Sequence, residues 1–162
     1  LGKICALSVI ALLAGASSTV GTLLSLPKLM QLDGNTAAAY TPAQYAALCL
    51  IILTTELLVV ACISLLSAFA KTIKEAQTYA TPLMILVMLV GITAMFGGGP
   101  RQELWAYLIP FYNSVQVMVG IFSFQLDPAC LGLAAVSNLV YTGLGVFALA
   151  RMFGSEKIMF QR

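Results

Sequence analysis

The chain of 162 residues contains no histidine, and only 9% of its residues are charged. Without histidine there is no Ser-His or Cys-His nucleophile pair, and the commonest metal ligand is missing. No phosphate-binding loop is present either: Gly97-Gly98-Gly99-Pro100 lacks a following Gly-Lys-Ser/Thr, and Gly2-Lys3 runs into Ile4 with no glycine-rich loop before it. Any ATP chemistry must come from a partner. A net charge of +2, with the cations scattered at the ends of apolar runs, argues against nucleic acid as a partner. The four cysteines, Cys5, Cys49, Cys62 and Cys130, make no CxxC pair and sit in or at the start of apolar runs. They read as small buried hydrophobes rather than disulfide or metal residues.

What the chain does have is apolar side chain, 60% of its residues with a mean hydropathy of +0.99, more than a soluble core consumes. This predicts an all-α polytopic membrane protein, with residues 1–162 forming a single transmembrane domain. Four runs are long enough to cross a bilayer, at 4–26, 43–70, 75–96 and 129–152. The first carries small residues four apart, such as Ala11-Gly15 and Ser17-Gly21-Ser25, which let another helix come close. In the last, Ser137, Asn138, Tyr141, Thr142 and Gly145 form a polar and small stripe expected to face protein. The tail from Arg151 mixes cations with aromatics, as a segment lying at a membrane surface does.

A fifth apolar stretch, 104–124, is broken in the middle. Pro110 removes a backbone donor and biases Ile109 away from helical geometry, and loop signals fence the stretch at Gly97-Pro100 and Asp127-Pro128. It reads as a re-entrant pair of short helices before the last helix, lining a cavity or portal. Charge supports this. With that unit re-entrant, four crossings place Lys3, Lys71, Lys74, Arg151, Lys157 and Arg162 on one side and Lys28 and Arg101 on the other, whereas a fifth crossing gives five to three at best. Both ends of the chain are then cytoplasmic.

Among candidate site residues, Glu56 is the one acid in a membrane interior, where an ionisable group is costly; it is either functional or a structural hydrogen-bonded acid. Asn113 and Gln116 line a portal or cap the second short helix, and Asn138 belongs to the polar stripe. Trp105, Tyr107 and Tyr112 read as interfacial aromatics that fix the depth of the unit.

Several segments carry a resemblance: Leu1-Gly2-Lys3-Ile4 opening a helix, the Lys71 to Tyr79 link, Ile109-Pro110-Phe111-Tyr112-Asn113 in a broken hairpin, and the closing Arg151-Met152-Phe153-Gly154-Ser155-Glu156-Lys157. In their order and spacing, over nearly the whole chain, they resemble the C-terminal part of a type-2 ABC exporter permease (ABC-2 type), closest to the sodium-efflux NatB-like branch. The resemblance implies a cell-membrane subunit that is not itself an enzyme, has no cofactor or metal of its own, dimerises with a like or different permease, and binds a separate ABC ATPase subunit. The family's first two helices, the external domain of this branch and the coupling helix before Gly-Lys-Ile have no counterpart here, so the expectation is a fragment of a longer permease. Two other readings stand beside it: an ion- or proton-coupled secondary transporter using Glu56, and a membrane scaffold without transport activity.

Overall fold

The computed structural model describes residues 13–14, 17, 41–96, 99–101 and 103–154. These are helical or loop throughout, with no strand among the described residues. The expected first helix, 4–26, lies outside them except for Leu13, Ala14 and Ser17, which are helical; so does the tail beyond Gly154.

Helix α1 spans Pro42–Phe69. Pro42 occupies its first position, where the missing donor costs nothing, and the Thr41 N–H donates to Gln44 Oε1 at 2.8 Å. A three-residue link leads to α2, Ile73–Phe96, whose start is fixed by Thr72: its hydroxyl accepts the Glu75 N–H at 3.2 Å, while the Glu75 carboxylate accepts the Lys71 N–H at 2.7 Å. Pro82 lies inside this helix. The last helix, α4, spans Pro128–Gly154 and is opened by Asp127, whose Oδ1 accepts the Ala129 N–H at 2.9 Å. All three are long and apolar enough to cross a membrane, and their ends agree with the sequence expectation to within two residues.

Between α2 and α4 the chain makes a five-residue 3-10 helix, Leu104–Leu108, and then α3, Tyr112–Phe122. The first arm of the broken unit is thus less than two turns of 3-10 helix. Pro110 is flanked by an extended residue, Ile109 at ψ 121°, and by one at positive φ, Phe111 at φ 66°. A positive φ is costly for a residue with a side chain, and the burial of the Phe111 ring, 7% exposed, holds it there.

α1 and α4 pack along one another, with α3 against both and the 3-10 turn against α3 and α4. Ala47, Leu48, Ile51, Ala106, Val117, Ile121, Cys130 and Ala134 form the shared core. Gly145 permits the close approach of α4 to α1: a methyl there would lie 3.3 Å from the Ala61 Cβ. Large apolar side chains meanwhile cover the outside, among them Phe69, Met84, Met88, Phe96, Leu144 and Phe147. A water-exposed surface does not carry apolar patches of that extent, so these helices are compatible with a membrane protein.

Candidate functional site

The break at Pro110 frees backbone groups, and the last helix meets them. The Leu108 carbonyl accepts hydrogen bonds from Ser137 Oγ at 3.2 Å and Tyr141 Oη at 3.1 Å, two residues one turn apart on the α4 stripe. On the far side of the break the Asn113 N–H reaches the Ile109 carbonyl at 3.0 Å. The Leu108 and Ile109 carbonyls are thereby satisfied by protein, as an apolar environment requires.

Immediately behind the break lies a polar cluster. Asn113 Nδ2 donates to Asn138 Oδ1 at 2.8 Å and to the Ala134 carbonyl at 3.3 Å. Asn138 Nδ2 in turn donates to Ser114 Oγ at 3.0 Å and approaches the hydroxyls of Thr55 and Thr54 at 3.4 and 3.5 Å. The Ser114 hydroxyl and its own N–H both donate to Asn113 Oδ1, at 3.1 and 2.6 Å. Thr55 Oγ1 sits 2.7 Å from Ser114 Oγ and 2.6 Å from the Ile51 carbonyl, its single proton going to one or the other. Asn113 and Asn138 are both fully buried. Every amide proton has an acceptor, so the cluster is a closed joint among α1, α3 and α4 rather than a surface with valence left for a ligand.

The other expected site residues lie apart from this joint. Gln116, 3% exposed, accepts the Arg101 N–H through Oε1 at 3.0 Å and so ties the entering chain to α3. It does not cap α3, whose first turn is served instead by Asn113. Glu56 is next to Thr55 in sequence but turns to another side of α1, into a cleft walled partly by Met118 of α3. Tyr107 corrects an expectation: the residue is 2% exposed, and its hydroxyl donates to the Arg101 carbonyl at 2.8 Å, so it braces the incoming loop from inside. Trp105, 60% exposed, remains free to meet an interface.

Thr54, Thr55 and Ser114 escaped sequence reasoning. The signal was present as Thr54-Thr55-Glu56, three polar residues together in the middle of an apolar run. Hydroxyls in helices routinely bond their own preceding turn, as Thr54 does to the Leu50 and Ile51 carbonyls at 3.0 Å, and this makes them easy to pass over.

The two ends of the broken unit are neighbours. A methyl built on Gly99, which itself has φ 144°, would lie 3.9 Å from Gln125 Oε1. The chain enters beside the point where it leaves, and α3 turns back at its end through the Gln125 N–H bonded to the Gly120 carbonyl at 2.9 Å. No family model, curated protein or solved structure matches the chain.

Proposed function

We propose that this chain is the membrane-embedded part of a permease subunit of a type-2 ATP-binding-cassette exporter, close to the NatB-like branch. Four helices cross the cell membrane, the 104–124 unit dips in and returns to the outer side, and both ends of the chain face the cytoplasm. A second permease completes the path, and a separate ATPase subunit supplies the energy. The observation that carries the reading is the juxtaposition of Gly99 with Gln125, together with the bracing of the break by Ser137 and Tyr141. At ~1.5 Å per residue the eleven residues of α3 are about 16 Å long, roughly half of a ~30 Å hydrocarbon core, which suits a unit that enters and returns. Residue segments that resemble the permease family supply the rest of the argument.

The test is biochemical. Tagged permease, expressed from its complete reading frame and purified from its own membranes, is expected to carry an ATPase subunit with a phosphate-binding loop, and the complex to hydrolyse ATP and drive efflux from proteoliposomes. Efflux driven by an ion gradient with no nucleotide would instead favour a carrier operating through Glu56.

A further inference from the structure

Glu56 stands at mid-length in α1, and its Oε2 is buried with no hydrogen-bond partner among the described residues. A carboxylate oxygen taken out of water and left unpaired is unfavourable, and Glu56 also lines a groove in which a positive charge would offset that cost. That groove has a volume of about 330 Å3. Among the described residues its walls are Ile52, Val59, Val60, Ile63 and Met118, and the one other polar side chain is Thr55, whose hydroxyl is already engaged with Ile51 and Ser114.

The charge that fits is not a bare metal ion. Hard cations take about six or more oxygen ligands, whereas the described residues of this cleft offer one carboxylate, and no group of three metal-ligating side chains occurs among the described residues. A small hydrophilic ammonium would leave the apolar walls uncovered. Roughly ten times the ~30 Å3 share of one water is space for a ring system or a branched alkyl body, and the Met118 thioether is a favourable neighbour for aromatic rings. We propose that the Glu56 cleft binds lipophilic cations, an apolar body carrying a single positive charge. As a statement about what is exported this rests on the permease reading; as a statement about binding it does not.

Ethidium, whose fluorescence rises in an apolar site, is titrated into the purified chain in a neutral detergent without nucleotide. Saturable binding of one ethidium per chain is expected. Glu56→Gln should weaken it about tenfold or more through loss of the charge attraction, while Glu56→Asp retains most of it. The neutral probe N-phenyl-1-naphthylamine should bind Glu56→Gln and the unsubstituted chain alike, which establishes that the cleft is intact. Should Glu56→Gln not fold, Val59→Trp decides, because it fills the cleft and keeps the carboxylate: ethidium binding should be lost. Unchanged ethidium affinity in Glu56→Gln, or in Val59→Trp, overturns the proposal. So does Glu56-dependent binding of sodium ion in a chain that does not bind ethidium. The site stands if ethidium binds and no ATPase accompanies the chain; the exporter reading stands if the ATPase is there and ethidium does not bind.

Discussion

Asn138→Leu is expected to destabilise the chain by about 1–3 kcal/mol, measured by thermal or denaturant unfolding in micelles, although the two side chains are similar in size. Single hydrogen bonds between membrane helices are worth little, about 0.6 kcal/mol on average, because the separated helices find other partners. Asn138 differs in the number of groups that depend on it. Its Oδ1 is the nearer acceptor for Asn113 Nδ2, and its Nδ2 serves Ser114 and the two threonines. Leucine withdraws all of these at once and leaves a buried amide half satisfied. The companion measurement is a cycle with Asn113→Leu: removing both amides should cost clearly less than the sum of the single changes, since the orphaned partner goes with them. Strict additivity would mean that the joint is not a unit.

The second large effect is expected at Pro110. Alanine restores a backbone donor and lifts the restriction on Ile109, which favours a longer helix through the break. Straightening draws the Leu108 carbonyl away from Ser137 and Tyr141, so these two bonds, at ~1 kcal/mol each, oppose the change; set against the ~3 kcal/mol that proline costs in a helix interior, they leave a net shift of roughly fivefold away from the broken form. If the protein is the proposed exporter, its transport should therefore fall by a similar factor under Pro110→Ala. On the exporter reading, ATP hydrolysis by the proposed partner should change little, because its docking surface would lie across the membrane from the unit.

Much of the fold was legible because its signals are local. Uninterrupted apolar runs marked α1, α2 and α4, and the Asp127-Pro128 loop signal stands where α4 begins. The break was legible for the same reason, since proline acts on its immediate neighbours. Its geometry was not. Phe111 at positive φ has no sequence signature, because only the burial of its ring holds it there, and the 3-10 turn at 104–108 follows from packing against α4. Each amide of the joint was visible as a polar residue in an apolar setting, but Asn113 and Asn138 stand 25 residues apart, and their pairing is a property of the α3–α4 contact. Tyr107 shows the same limit: an aromatic near the end of an apolar stretch reads alike whether it meets an interface or an interior.

The central claim is that the 104–124 unit enters the membrane and returns to the side it came from. Single cysteines at Glu103 and Gln125, both exposed, are introduced into a chain whose four native cysteines have been replaced, and sealed right-side-out vesicles are treated with an impermeant maleimide. A cysteine at Lys71 serves as the inside reference. Both test positions should label without permeabilisation and Lys71→Cys only after it; labelling of Glu103→Cys and Gln125→Cys from opposite sides would contradict the account.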